Sequence, residues 1–257
     1  MKALCSVFVF VSLAISSAAQ EITVAAAADL RPAMEEMISH FQATDMQSKK
    51  LHVKAIYGSS GNFFEQIRSG APFDLFFSAN TDYPKKLETA GLIVVGTYYE
   101  YARGKIVLLV PANSNLDVKR GLSLLLDPEV KKIAIADAAH APYGQAAVAA
   151  MKHENIYDKV SGKLVTAENI SQASSFVLSG AADVGIAAFS IATSIPASQA
   201  RFAEIPAEEY PPIQQACVVL SSSKNQKGAL QFQTYVRGDE GRAILKRHGF
   251  EVPDAGK

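Results

Sequence analysis

The sequence is poor in cysteine and has no excess of charge of either sign. Of its 257 residues only Cys5 and Cys217 are cysteines, and its 25 Lys and Arg balance 25 Asp and Glu. Without Cys5, which lies in an apolar leader-like segment, no intrachain disulfide is possible. The absence of a basic patch argues against nucleic acid as a partner. Cys217, between Ala216 and Val218, is typical of a buried strand cysteine rather than a reactive thiol.

Long hydrophobic runs are absent after the N-terminus. Residues 1–19 contain Lys2, an apolar run over 7–15 and the small residues 17–19. That order is typical of a cleaved secretory signal peptide. The run is too short to span a bilayer, which takes ~20 apolar residues. We therefore expect 1–19 to be a signal peptide and the product to be exported and soluble.

Catalytic and metal-binding patterns are also missing. There is no Gly-x-Ser-x-Gly elbow, and none of the five histidines stands in an obvious catalytic setting. No spacing of His, Cys, Asp and Glu fits a metal site. We therefore expect a protein that is not an enzyme, with no cofactor and no free metal cation. A secreted α/β hydrolase stays open as the less favoured alternative.

Apolar runs alternate with segments of helical periodicity along the chain. The runs that predict strands are 22–28, 53–57, 74–77, 105–110, 133–136, 164–165, 184–188 and 216–220. This alternation favours an α/β protein with largely parallel sheets. The mature chain is long for one compact domain and comfortable for two.

Four short motifs stand at predicted strand-to-helix junctions. In chain order they are Ala28-Asp29-Leu30, Gly58-Ser59-Ser60-Gly61, Ala141-Pro142-Tyr143-Gly144 and Glu168-Asn169-Ile170-Ser171. A helix N-terminus offers unpaired backbone N–H groups and the positive end of the helix dipole. None of the motifs contains Lys or Arg. Together they predict an anion site made of neutral donors at the carboxyl ends of the strands.

Each motif also has an ordinary structural interpretation. Asp29 and Asn169 are good helix N-caps, a serine of the second motif is another, and Tyr143 fits a plain turn. In the second motif, glycine permits a close approach of the backbone to a ligand, and Ser59 and Ser60 add hydroxyl donors. Contact with a ligand is therefore favoured most clearly at the second motif.

These motifs and a fifth stretch carry a family resemblance. The most specific stretch is Gly70-Ala71-Pro72-Phe73-Asp74-Leu75-Phe76-Phe77-Ser78-Ala79, and 22–30, 57–61, 141–144, 180–185 and 246–250 continue the likeness in order. From about residue 21 to 253 the chain resembles the periplasmic molybdate-binding proteins of ABC importers, the ModA type. The resemblance covers nearly all of the mature chain.

The resemblance implies a type II periplasmic binding protein of the α/β class. Two lobes with mixed sheets flanked by helices would enclose a ligand cleft. The first lobe would comprise 20–101 plus 213–257 and the second 102–212. The implied function is capture of molybdate or tungstate in the periplasm, by a monomer, and delivery to the membrane permease of an ABC importer.

The resemblance also implies a site that would hold molybdenum as an oxyanion. Ser60 would bind through its hydroxyl and amide, whereas Tyr143 and Ile170 would donate backbone amides and their side chains would matter little. Asp29 occupies the place of a serine or asparagine donor in relatives. The full expected set is Ala28, Asp29, Ser59, Ser60, Tyr143 and Ile170.

Two positions depart from the family pattern. Ala188 stands where some members have a tyrosine hydroxyl. Asp29 is a carboxylate, which accepts hydrogen bonds when ionised and would repel a divalent oxyanion. If Asp29 caps its helix and offers its amide, molybdate fits. If it faces the cleft, an oxyanion that carries a proton, such as hydrogen phosphate, fits better, so a receptor for another tetrahedral oxyanion stays open.

Overall fold

The computed structural model describes residues 20–44 and 51–253. The predicted signal peptide, 1–19, lies outside the described residues. Within them, no helix combines the length and the apolar character that crossing a bilayer requires.

The described residues form ten strands and nine α-helices. The strands are β1 (Gln20–Ala27), β2 (Leu51–Gly58), β3 (Leu75–Ser78), β4 (Tyr99–Gly104), β5 (Ile106–Pro111), β6 (Ile133–Ala136), β7 (Leu164–Ala167), β8 (Val184–Ala188), β9 (Ala200–Glu204) and β10 (Ile213–Val219). The helices are α1 (Arg31–Thr44), α2 (Ser60–Arg68), α3 (Asp82–Thr89), α4 (Pro142–His153), α5 (Tyr157–Val160), α6 (Ile170–Leu178), α7 (Phe189–Ala192), α8 (Gln226–Arg237) and α9 (Asp239–Arg247).

The strands form two five-stranded sheets, in the orders β2-β1-β3-β10-β4 and β7-β6-β8-β5-β9. Strand β10 runs antiparallel to both of its neighbours, and so does β5. The sheets are therefore mixed, as the family resemblance implies, and the expectation of largely parallel sheets is wrong. The antiparallel pairs are those of β10 with β3 and β4 and those of β5 with β8 and β9, whereas β1 and β6 pair only in parallel.

Apolar strands supply the core of each sheet. Strand β5 is buried over Ile106–Val110, where no residue is more than 1% exposed, as expected for a strand covered on both faces. In β10, Cys217 is fully buried, and burial raises the pKa of its thiol to about 12. The prediction of a buried, inert strand cysteine is confirmed.

The two sheets define two lobes, which we call the first lobe and the second lobe. The first is built from both ends of the described chain, and the second from the strands between Ile106 and Glu204. The predicted division after Tyr101 falls inside β4, whose last residue, Gly104, still pairs with Ile213 of β10. The exact division into lobes stays a prediction.

Candidate functional site

Sheet register brings the four motifs together in pairs. Ala27 and Gly58, at the ends of the parallel strands β1 and β2, are partners, so the first two motifs begin side by side. In the second sheet, the partners Ala136 and Ala167 end β6 and β7, which lead into the other two motifs. All four motifs therefore follow carboxyl ends of parallel strands, where α/β proteins bind ligands.

The two pairs of motifs meet across the interface between the lobes. Hydrogen bonds to backbone carbonyls join the lobes here: Gly61 N donates to His140 O at 2.8 Å, Ser171 Oγ to Ala28 O at 3.1 Å, and Ser190 Oγ to Asp29 O at 2.8 Å. A Cβ atom on Gly61 would lie 2.6 Å from His140 O, so this backbone approach requires glycine. The structure is thus a closed arrangement of the lobes.

The helix starts differ in how their N–H groups are satisfied. Helices α2 and α4 follow Ser59 and Ala141, neither of which makes a side-chain cap. In α6, Asn169 Oδ1 accepts from Ser171 N at 3.0 Å and from the next amide at 3.1 Å, which confirms the predicted cap. This cap leaves the N–H of Ile170 for another acceptor.

The two serines of the second motif have different surroundings. Ser60 is fully buried, and its Oγ accepts from Ala79 N at 2.9 Å. Because a hydroxyl that accepts still carries its own proton, Ser60 can also donate to an anion. Ser59 is buried as well, and its Oγ has no hydrogen-bond partner within the described part of the chain.

Asp29 does not cap a helix, so of the two alternatives left open by the sequence the purely structural one does not hold. It lies inside a 3₁₀ turn over Ala28–Leu30 whose N-cap position is Ala27, because the chain tightens immediately after β1. The side chain is fully buried. Its Oδ2 accepts from Tyr143 Oη at 2.8 Å and from Gln215 Nε2 at 2.7 Å. Its Oδ1 is buried without a hydrogen-bond partner among the described residues.

A buried polar network surrounds this carboxyl group. Gln215 Nε2 also lies 3.1 Å from Tyr143 Oη, and Tyr101 Oη donates to Gln215 Oε1 at 2.6 Å. A Cβ atom on Gly104 would overlap both the Tyr143 hydroxyl and the Gln215 amide, so the network depends on glycine there. The Tyr143 side chain, expected to matter little, links the second lobe to Asp29. Gln215 and Tyr101 were not predicted, because they lack a local sequence motif.

Burial shifts the acid–base properties of the network. Desolvation raises the pKa of Asp29 to about 6, although the hydrogen bonds from Gln215 and Tyr143 act in the opposite direction. Burial, followed by the nearby charge of Asp29, holds the pKa of Tyr143 and of Tyr101 well above the usual range. Asp29 is therefore the member of the network that titrates closest to neutral pH.

Other predicted site features are plainer. Ala188 ends β8, is fully buried, and supplies no hydroxyl. His140 brings its backbone carbonyl to the cleft, whereas the residue itself is exposed. In the described ranges, 20–44 and 51–253, no group of three or more His, Cys, Asp and Glu residues is arranged to hold a metal ion.

Comparison with known proteins agrees with this architecture. The model of the family described as bacterial extracellular solute-binding protein matches residues 22–251. The chain belongs to this family. Among its ModA-type relatives, the molybdate-binding protein ModA of Rhodobacter capsulatus is 32% identical over 93% of this chain and 91% of its own length. The resemblance seen in the sequence is thereby confirmed.

Solved structures of solute-binding proteins share the fold. The periplasmic molybdate-binding protein of Azotobacter vinelandii superposes with a TM-score of 0.82 at 32% identity, over 91% of this chain and 100% of that one. The sulfate-binding protein SubI of Mycobacterium tuberculosis H37Rv gives a TM-score of 0.76 at 18% identity, over 91% and 88%. The second likeness shows the fold alone. The two-lobed type II fold predicted from the sequence is confirmed.

Proposed function

We propose that this solute-binding protein captures molybdate, and also tungstate, between its lobes and delivers it to the permease of an ABC importer. It would act in the periplasm as a binding protein without catalysis and without a cofactor. The observation that carries the proposal is the meeting of four strand-to-helix motifs, free of Lys and Arg, across the cleft of a ModA-type chain.

Neutral donors are sufficient for tight binding. We propose as donors the hydroxyl and amide of Ser60 and the amides of Asp29, Tyr143 and Ile170, with Ala28 and Ser59 beside them. Hydrogen bonds to a charged group contribute about 1.5–3 kcal/mol each. Five such bonds are compatible with micromolar or tighter affinity, which corresponds to about −8 kcal/mol.

Closure of the lobes couples binding to delivery. An oxyanion held by Ser60 from the first lobe and by Tyr143 and Ile170 from the second bridges both halves of the cleft. It thereby stabilises the closed form through its differential affinity for that form. We propose that the closed, loaded monomer is the form that docks onto the permease.

Isothermal titration calorimetry of the mature protein tests this function. Molybdate, tungstate, sulfate and phosphate are titrated separately at pH 7.5, and recovered molybdate is checked for chemical change. One-to-one binding of molybdate and tungstate, with much weaker binding of sulfate and phosphate, is the expected result. Absence of molybdate binding would overturn the proposal.

A receptor for a protonated tetrahedral oxyanion is the second candidate. The observation that favours it is the buried carboxyl group of Asp29, which would repel a dianion that carries no proton but would accept a hydrogen bond from the O–H of hydrogen phosphate. Binding of phosphate but not of molybdate in the same titrations would support this candidate. The fold would stay the same and the transported solute would differ.

A further inference from the structure

The carboxyl group of Asp29 is unevenly satisfied. Both of its side-chain hydrogen bonds, from Tyr143 of the second lobe and Gln215 of the first, go to Oδ2. The nearby amides of Asp29 and Leu30 lower the pKa of the group, but the buried Oδ1 has no hydrogen-bond partner of good geometry among the described residues. A buried acceptor that receives no donor carries a free-energy cost. When protonated, the same oxygen becomes an O–H donor. The group is thus suited to changing from acceptor to donor.

The carboxyl group of Asp29 lies at the proposed anion site, so a change from acceptor to donor would occur beside the bound anion. The backbone carbonyl of Asp29 accepts from Ser190 Oγ of the second lobe, and the side chain reaches Tyr143, whose amide belongs to the proposed donor set. An ionised carboxylate here would repel a bound dianion. None of the causes that shift the Asp29 pKa is a nearby cation. Protonation is therefore the means by which this site would neutralise Asp29.

Building on the proposed function, we propose that Asp29 takes up one proton from solvent when a dianion binds, and that its Oδ1–H then donates to the bound oxyanion. Asp29 would thus act as a specificity residue whose protonation links affinity for dianions to pH. The anion remains a dianion throughout, and no covalent bond other than the Oδ1–H bond forms.

Among the buried groups around Asp29, its own carboxyl group is the one that titrates closest to neutral pH. Without ligand, burial raises its pKa to about 6, so it is mostly ionised at pH 7.5. Helix α4 presents Tyr143 and strand β4 presents Tyr101, both with a pKa well above the usual range. Strand β10 adds Cys217, with a thiol pKa of about 12, beside Tyr101. From helices α6 and α7, the uncharged hydroxyls of Ser171 and Ser190 donate to the backbone carbonyls of Ala28 and Asp29.

Calorimetric proton counting tests the proposal directly. Molybdate is titrated at intervals from pH 6.5 to 8.5, each time in buffers of different ionisation enthalpy. For the unmodified protein we expect proton uptake approaching one per bound anion and a Kd that rises up to ~10-fold per pH unit. In Asp29→Asn and Asp29→Ser we expect no proton uptake and a Kd that is nearly independent of pH.

A matched control separates this role from the general loss of a carboxylate. Asp183 Oδ2 also accepts two hydrogen bonds, from Lys131 N and Lys132 N, each at 2.8 Å, but it precedes β8 and so lies at the amino ends of the parallel strands β6 and β8, away from the cleft. We expect Asp183→Asn to keep the proton uptake and the pH dependence of the unmodified protein. Asp29→Ser tests the result again in case Asp29→Asn alters the network.

The outcomes are distinguishable. Tight molybdate binding by the unmodified protein without proton uptake would overturn the role of Asp29 and leave the proposed function intact. Uptake that persists in both Asp29 variants and disappears in His140→Gln would also overturn it, by assigning the proton to His140. If molybdate fails to bind at every pH, the proposed function fails and this inference fails with it.

Discussion

The two halves of the cleft use the same type of strand-to-helix junction with different electrostatic results. The first lobe places a buried carboxyl group, that of Asp29, at its junction, whereas the second lobe offers the neutral Tyr143 hydroxyl and a helix capped by Asn169. Of these three groups, Asp29 is the one that titrates close to neutral pH, so we expect the first half to carry the acid–base behaviour of the buried cleft. Two junctions with similar backbone geometry can therefore differ in charge, because here the side chain of Asp29 alone makes the difference.

The largest expected effect is that of Asp29→Asn on stability. The folded-state pKa is about 6, above the ordinary value of 3.8. Between these values the native state holds a proton that the unfolded state has lost, so the contribution of Asp29 to the free energy of unfolding falls as pH rises. Above the folded pKa the loss is complete, at about 3 kcal/mol. The change in the free energy of unfolding caused by Asp29→Asn in the ligand-free protein should therefore be more favourable at pH 7.5 than at pH 4, by up to about 3 kcal/mol.

Urea unfolding of the unmodified protein and of Asp29→Asn at pH 4 and pH 7.5 measures how the effect of the substitution depends on pH. Asp183→Asn controls for removal of a carboxylate outside the cleft. An Asp29→Asn effect of equal size at the two pH values would contradict the electrostatic contrast between the halves.

Ser60→Ala tests the contribution of the first lobe to binding. The change removes a hydroxyl donor from the proposed anion site and should weaken molybdate binding by about 1–3 kcal/mol. It also leaves Ala79 N without its acceptor, so a modest loss of stability should accompany it. Calorimetry and urea unfolding separate the two effects. As a control, Ser59→Ala removes a hydroxyl that has no partner among the described residues and should leave stability nearly unchanged. An unchanged molybdate affinity in Ser60→Ala would rule out direct contact between Ser60 and the anion.

Tyr143→Phe tests the link between the halves. The ring and the backbone amide remain, but Asp29 loses one of its two donors. A hydrogen bond to a charged group contributes about 1.5 kcal/mol or more, so stability at pH 7.5 should fall by about that amount. Because Asp29 is mostly protonated at pH 5, the loss should be smaller there. In the Asp29→Asn background, Tyr143→Phe should lower the free energy of unfolding by less. An equal decrease in the two backgrounds would indicate that the Tyr143 hydroxyl and the Asp29 charge act independently.

Asn169→Ala should have the smallest effect and should sharpen the description of the second half. Loss of an N-cap typically costs ~1 kcal/mol of stability. Asn225 caps α8 in the first lobe through Gly228 N, so Asn225→Ala should cost a similar amount. Only Asn169→Ala should also weaken molybdate binding, since it loosens the helix start that carries Ile170. Equal molybdate affinity in the two variants would remove Ile170 from the proposed donor set.

Local sequence signals predicted local structure well. The cap at Asn169, the buried Cys217 and most strands follow from side-chain chemistry and hydrophobic periodicity within a few residues. The network around Asp29 could not be found in this way, since Tyr143 lies 114 residues from it and Gln215 lies 186 residues from it. Those contacts depend on how the lobes close. The choice between a cap and a buried role for Asp29 stayed open because a tight 3₁₀ turn, which composition does not specify, shifts the helix start.

The position of β10 determines when the cleft can exist during synthesis. This strand comes late in the chain but lies between β3 and β4, and it also carries Gln215. All strands of the second sheet precede it, so the second lobe can form while the first sheet is still incomplete. Completing the first sheet then requires pairing across more than 100 residues of folded chain, a slow, non-local step. A chain that stops before β10 therefore has neither a complete first sheet nor Gln215, so we expect it to lack the full cleft.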